Sequence, residues 1–238
     1  MPKHHRIAIT DEEHVSAVHH ESESDRWIIF CHGFVSDMTG SYEMRANRAV
    51  SEGYNAVRFD FRGCGDSDGS FIDQTLSTKI TDLCEVVKHF SPETLVLFGS
   101  SFGGKVAFHT AREFESMQAI ITRAPVTYNE TFSELEQTVR AETTVQLTDS
   151  HSVDYRFFED LPTYSFDETA NNISIPVAIF HGGADESVPL SSSLTACESL
   201  ASQCDVFFQV YHDEGHRFTR EAENRLQQQL FDWLVQYG

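Results

Sequence analysis

Ser101 sits at the centre of Gly99-Ser100-Ser101-Phe102-Gly103, a G-x-S-x-G pentapeptide. An apolar run, Thr94 to Phe98, leads into it, and a helical pattern from Phe102 to Phe114 leads out. A strand that turns sharply into a helix holds its serine in strained geometry with Oγ exposed. The flanking glycines keep side chains out of the crowded turn. The helix N-terminus supplies backbone N–H groups and a positive dipole end to a developing oxyanion. The chemistry implied is attack of a serine on a carbonyl carbon. Ser100 does not fit the pattern, because Phe98 and Phe102 occupy its glycine positions. The chemistry-free alternative is a tight Gly/Ser turn.

A serine at its free pKa is a weak nucleophile and needs a base, oriented by a third group. In strand–turn–helix nucleophile architectures the chain order is Ser, then acid, then His. An apolar run from Val177 to Phe180 ends in His181-Gly182-Gly183-Ala184-Asp185-Glu186. Asp185 therefore falls in the loop after a strand, where open α/β sheets place their sites. The last strand is followed by His212-Asp213-Glu214-Gly215-His216. His216, behind a glycine and ahead of the final helix, is the expected base, and His212 is the rival. Glu186 is the weaker rival of Asp185. Phe102 N–H is one expected oxyanion donor, and Phe34 N–H, in the loop Cys31-His32-Gly33-Phe34, is the second. His32 is expected to brace that loop, and Cys31 and Cys64 to pack. His4, His5, His14, His19 and His20 read as solvated.

Alternating strands and helices must position these groups. Ile7–Thr10 and Val15–His19 read as a hairpin. Trp27–Cys31, Ala56–Phe61, Thr94–Phe98, Ala119–Thr122, Val177–Phe180 and Val206–Tyr211 read as strands. Tyr42–Ser51, Thr75–Phe90, Phe102–Phe114, Leu190–Ser202 and Thr219–Tyr237 read as helices. Near-continuous apolar strands separated by helices predict a mainly parallel sheet covered on both faces. Between Pro125 and Ile173 no strand is evident, only a helix near Phe132–Val139 and many aromatics. That length exceeds an ordinary connection and predicts a functional insertion. The core is expected over 1–125 and 174–238, and a lid over 126–173. Most insertion aromatics should anchor it, and a few should line a pocket.

Composition excludes several classes. The 238 residues are 40% hydrophobic, so a substantial core is available. No run approaches the roughly 20 apolar residues of a membrane span, and the N-terminus carries no apolar signal segment. Five cysteines without CxxC spacing point to free thiols in a reducing cytoplasm and not to zinc. Against 17 basic residues stand 37 acidic ones, a net −20, which repels nucleic acid and anionic lipid. High acid with only four lysines suggests adaptation to concentrated salt; the plainer reading is an acidic cytosolic enzyme.

The pieces His32-Gly33-Phe34, Asp60-x-Arg62-Gly63-x-Gly65-x-Ser67, Gly99-x-Ser101-x-Gly103, His181-Gly-Gly-Ala-Asp185 and Gly215-His216 resemble the α/β-hydrolase superfamily, in order and over nearly the whole chain. The segment FCHGFVSD…AVRFDFRGCGDSDGSF is most similar to compact carboxylesterases of the cinnamoyl/feruloyl esterase type and to serine aminopeptidase-like hydrolases. The resemblance implies an α/β-hydrolase fold with an eight-stranded, mostly parallel sheet, a lid after the sixth strand, and cofactor-free and metal-free hydrolysis of small esters. Asp66 and Ser67 belong to the turn motif. Residue 102 is Phe where cinnamoyl esterases carry a polar residue, which changes the pocket wall. The expected protein is a serine esterase, monomeric or homodimeric, acting on a small-molecule ester. One rival is an aminopeptidase, with Glu134, Glu136, Asp149, Asp154, Glu159 or Asp160 holding a substrate ammonium. The other is a non-catalytic binding module. Dehalogenase and epoxide-hydrolase chemistry would place Asp where Ser101 stands.

Overall fold

The structure, a computed structural model, describes residues 2–237. The chain opens with β1 (Lys3–Ala8) and β2 (His14–His20), an antiparallel hairpin. There follow β3 (Arg26–Cys31), α1 (Ser41–Ser51), β4 (Asn55–Phe59), α2 (Leu76–Phe90), β5 (Thr94–Ser100), α3 (Phe102–Thr110) and β6 (Met117–Arg123). The insertion holds α4 (Ser133–Glu142), β7 (Thr144–Gln146), β8 (Ser152–Asp154), α5 (Tyr155–Asp160) and α6 (Phe166–Ala170). β9 (Val177–Gly182), α7 (Leu190–Leu200), β10 (Val206–Tyr211) and α8 (Arg220–Leu234) complete the chain.

Eight strands form one sheet in the order β1-β2-β4-β3-β5-β6-β9-β10. Pairing is parallel from β4 to β10, and β1 and β2 run antiparallel at one edge. Alternate residues of each strand face opposite sides. Ile29, Leu95, Leu97, Ile120 and Ile179 pack beneath α2, α3 and α7. Ile28, Phe30, Val96, Phe98, Ile121 and Phe180 pack beneath α1 and α8. Burial on both faces is why β3, β5 and β9 carry almost no polar residue.

Helix ends follow local chemistry. Thr75 and Thr78 cap α2 reciprocally, side chain to backbone N–H in both directions. Thr219 caps α8, so that helix begins one residue after the expected start. The helix expected to reach Phe114 ends at Thr110 and tightens into a 3-10 turn over Ala111–Glu113.

Two expectations are corrected. The segment expected to lack strands contains β7 and β8, a short antiparallel ribbon. Three-residue strands carry too little alternation to register in a sequence pattern. The N-terminal histidines are not all solvated: His19 and His20 are buried at 8% and 4% exposure. β2 lies inside the sheet between β1 and β4, so its side chains are covered. His19 stacks on Trp27 with ring centroids 4.8 Å apart and bonds Asn55 Oδ1 through Nε2 at 3.0 Å.

The turn after β4 is tied to the hairpin and to α2. The Asp60 carboxylate accepts the N–H groups of Met38 and Asp66 at 2.6 and 2.9 Å, and burial pushes it up to about 6. Ser67 Oγ donates to Asp60 O at 2.6 Å and accepts Ser16 N–H at 2.8 Å, so Ser67 is structural as expected. Asp82, fully buried on α2, accepts Arg62 N–H at 2.9 Å and Arg62 Nε–H at 2.7 Å. Removing Asp82 leaves the Arg62 N–H and Nε–H without their acceptor and the guanidinium with only Glu13, 2.7 Å from Nη1. Asp82→Ala is therefore expected to lower unfolding free energy by about 3 kcal/mol, read from the midpoint of a urea titration. An unchanged midpoint would show the pair to be dispensable.

Candidate active site

The C-terminal ends of the parallel strands bring the expected residues to one edge. Cys31 pairs with Gly99, Ser100 with Arg123, and Arg123 with Phe180. The residues that follow each strand therefore emerge side by side. Ser101 itself has φ 55 and ψ −121. This is costly backbone for a non-glycine residue and common where function demands it. Packing enforces the turn. A Cβ on Gly99 would stand 2.4 Å from Gly103 O, and one on Gly103 would stand 2.3 Å from Cys31 O. Only glycine lets the helix start this close to both strands.

Ser101 Oγ–H donates to His216 Nε2 at 3.0 Å, and His216 Nδ1–H donates to Asp185 Oδ2 at 2.8 Å. A carboxylate only accepts, which fixes the proton on Nδ1. Asp185 Oδ1 accepts Ser187 N–H at 2.8 Å and Val188 N–H at 2.9 Å. His181 Nε2 lies 3.3 Å from Oδ2. Burial alone would raise the Asp185 carboxyl. The hydrogen bonds from His181, His216 and Val188 together outweigh it and hold the group well below the usual carboxylate range. The loop carrying His216 is held in turn by buried Glu214, which accepts Thr219 N–H at 2.6 Å and Thr219 Oγ1–H at 2.7 Å.

The rivals lie elsewhere. His212 has a side chain 96% exposed beside Asp213. Glu186 is exposed. Burial pushes the Cys31 and Cys64 thiols up, as suits packing residues.

Gly33 abuts Ser101: a Cβ placed there would lie 3.4 Å from Ser101 Cβ. Phe102 begins α3, so its N–H has no acceptor within the helix. Phe34 N–H finds no backbone acceptor among the described residues. Beneath this loop His32 is wholly buried. Its Nδ1–H donates to Gly33 O at 2.8 Å, and its Nε2 accepts Phe61 N–H at 3.0 Å. Both ring nitrogens are committed to a neutral imidazole, so His32 braces the loop.

A cavity of about 880 Å³ opens beside Ser101 and His216. Its walls come from the 33–44 loop and α1, the end of β6, and the 216–223 segment. No residue of the insertion lines it, contrary to the expectation for a few of its aromatics. Phe132 and Phe157 instead pack on Phe34 and Phe102, with ring centroids 4.8 to 5.7 Å apart. Among the residues at this site that the sequence reading missed are Arg45, Arg123, Glu214 and Glu223. Arg123 had a signal, a charged residue at the end of a core strand. The other three lie in helical or loop sequence with none.

This fold and this arrangement define an α/β-hydrolase. Within that superfamily the chain belongs to the prolyl oligopeptidase family, whose model matches residues 41–238. The human mitochondrial palmitoyl-protein thioesterase ABHD10 is 26% identical over 223 residues, covering 87% of this chain and 72% of the human protein. The zebrafish lysophosphatidylserine lipase ABHD12 is 29% identical over 182 residues, covering 68% of this chain and 44% of that protein. Mouse α/β-hydrolase domain-containing protein 10 superposes with a TM-score of 0.86 at 20% identity, over 99% of this chain and 100% of the other. Est1E from Butyrivibrio proteoclasticus, solved with ferulic acid, superposes with a TM-score of 0.82 at 18% identity, over 98% of each chain. At these identities the structural likeness speaks to the fold. Among the described residues no helix is long and apolar enough to cross a membrane.

Two buried imidazoles make the fold acid-sensitive. Burial, and next Lys79, push His32 down to about 3 from its ordinary 6.5. Burial, and next Lys105, do the same to His109. The unfolded chain binds these protons and the folded chain refuses them. The stability is complete above pH 6.5 and drains as pH falls toward 3. Each group is expected to remove about 1.4 kcal/mol per pH unit across that window. Urea midpoints measured from pH 7 downward should fall, and His109→Gln should flatten the slope. An unchanged slope in that variant would dismiss His109 as a contributor.

Proposed function

We propose that this hydrolase is a serine esterase that cleaves small carboxylic esters through an acyl-enzyme. The observation that carries the reading is the unbroken hydrogen-bond chain from Ser101 through His216 to a buried, ionised Asp185 at the strand ends. Ser101 Oγ attacks the ester carbonyl while His216 Nε2 takes its proton. Asp185 holds the imidazole and stabilises the imidazolium. The Phe34 and Phe102 N–H groups receive the oxyanion. The tetrahedral intermediate expels the alcohol, which takes its proton from His216. Water, activated by the same imidazole, then releases the acid. No cofactor or metal enters these steps.

We extend the proposal to the insertion, residues 126–173, as a lid. Its Phe132 and Phe157 rest on the rings of the two oxyanion residues, so its movement would open the acyl side of the site. The named activity of the human relative makes thioesters a class to assay beside oxygen esters. Five unpaired cysteines fit a reducing, cytoplasmic setting. The aminopeptidase reading is less favoured. None of Glu134, Glu136, Asp149, Asp154, Glu159 and Asp160 lines the cavity, and Asp154 and Asp160 are bound to Arg156 and Ser77.

The test is hydrolysis of p-nitrophenyl esters from acetate to laurate, with methyl ferulate, by wild type and variants. Ser101→Ala is expected to lose about 10⁴-fold or more in kcat without a shift in unfolding midpoint. Asp185→Asn is expected to lose about 10⁴-fold through the wrong imidazole tautomer. Turnover that survives in Ser101→Ala, or no turnover of any ester by folded wild type, would overturn the reading.

A further inference from the structure

In a chain with 37 acidic and 17 basic residues, the cavity beside Ser101 is rich in arginine. Arg123, Arg217 and Arg220 line it, with two carboxylates, Asp37 and Glu223. Among the described residues Asp37 forms no ion pair with them, and Glu223 is shared. Asp37 is occupied by the N–H and hydroxyl of Thr39. Glu223 Oε1 accepts Arg45 Nε–H at 2.7 Å, and Arg45 is itself buried behind the cavity between the rings of Tyr42 and Phe98. Arg123 Nη1 stands 3.7 Å from Glu223 Oε2, beyond hydrogen-bond range. One carboxylate thus serves two guanidinium groups, which leaves one positive charge in excess.

Arg123 is the key group. Its side chain is only 13% exposed, and its Nε is out of solvent contact with no hydrogen-bond partner. A guanidinium left short of acceptors favours an incoming anion. Burial, and next the neighbouring Arg45, push Arg123 down from its ordinary range, with Glu223 and Asp185 acting the other way. Asp185, the other carboxylate that acts on it, is committed to His216, Ser187 and Val188. The backbones of the two residues are joined, since Arg123 O accepts Ser101 N–H at 2.9 Å, and both residues line the same cavity. The Phe218 ring lies 5.5 Å from its Cζ. Arg217 and Arg220 are exposed at the mouth.

We propose, resting on the ester-hydrolase reading of the same site, that the cavity is an anion subsite: the substrate carries an oxyanionic group, carboxylate or phosphate, held by Arg123 and drawn in by Arg217 and Arg220. A planar guanidinium offers such a group paired donors in a partly dry site. The mouth arginines give local attraction against a repulsive overall field.

The test separates binding from turnover. Calorimetry on Ser101→Ala compares the butyryl esters of 4-hydroxybenzoate and 4-hydroxyphenyl phosphate with that of methyl 4-hydroxybenzoate. p-Nitrophenyl hydrogen glutarate is compared with p-nitrophenyl valerate, which moves the charge to the acyl side. At least one anionic member is expected to bind about tenfold tighter than its neutral partner. The benzoate and phosphate arms show which oxyanion is preferred. Adding Arg123→Gln should bring that ratio below about twofold. Should that variant not fold, the exposed pair Arg217→Gln and Arg220→Gln should lower the ratio about threefold and weaken its salt dependence. Equal binding of anionic and neutral esters, or a ratio untouched by every folded variant, would overturn the subsite. A binding preference without turnover of any ester by wild type would keep the subsite and overturn the esterase.

Discussion

A carboxylate taken out of water stays ionised only if donors replace its hydration. Asp185 meets that condition with two backbone N–H groups on one oxygen and the His216 imidazole on the other, where His181 Nε2, bonded to Val188 O, stands 3.3 Å away. Its charge fixes the His216 tautomer, and the His216 tautomer presents a lone pair to Ser101. The strained Ser101 backbone has a purpose only with that lone pair in place. Remove the donors around Asp185 and each later element loses its orientation in turn.

The sheet delivers these donors because parallel strands end in register. β9 brings His181 and the Asp185 loop, and β10 brings the Glu214-to-Thr219 bracket that carries His216. The bracket is stiff for an ordinary reason: buried Glu214 satisfies the N-cap of α8 from outside the helix. On the other side, neutral His32 spans Gly33 O and Phe61 N–H and fixes the loop that faces Ser101. Burial is used with opposite outcomes here. The Asp185 charge is kept by hydrogen bonds, whereas the His32 charge is refused by desolvation.

Electrostatics divides the molecule at the same edge. The acidic excess, −20 over the chain, is opposite in sign to the arginines that line the cavity with Ser101. Arg45 and Arg123 are held there by a single Glu223, by aromatic faces and by strand position. Such an arrangement is poorly explained as stability alone, because replacing buried ion pairs with apolar packing is commonly neutral or better.

The local sequence determined most of the sheet's elements and the hydrogen-bonded trio Ser101, His216 and Asp185. Glycine spacing around Ser101 follows from steric exclusion within five residues. Asp185 and His216 each follow an apolar strand by a few positions, so strand-end placement was legible without tertiary knowledge. The apolar runs of β3, β5 and β9 announced burial on both faces. Tertiary structure decided what depends on residues far apart in the chain. Arg45 meets Glu223 across 178 positions, and no local pattern encodes that pairing. His19 and His20 are polar in type but covered, because β2 is enclosed by β1 and β4. Phe132 and Phe157 of the insertion pack on Phe34 and Phe102 and leave the cavity to α1 and the start of α8. Composition states that such rings will be buried; only packing states against what, since the hydrophobic effect has magnitude but no direction.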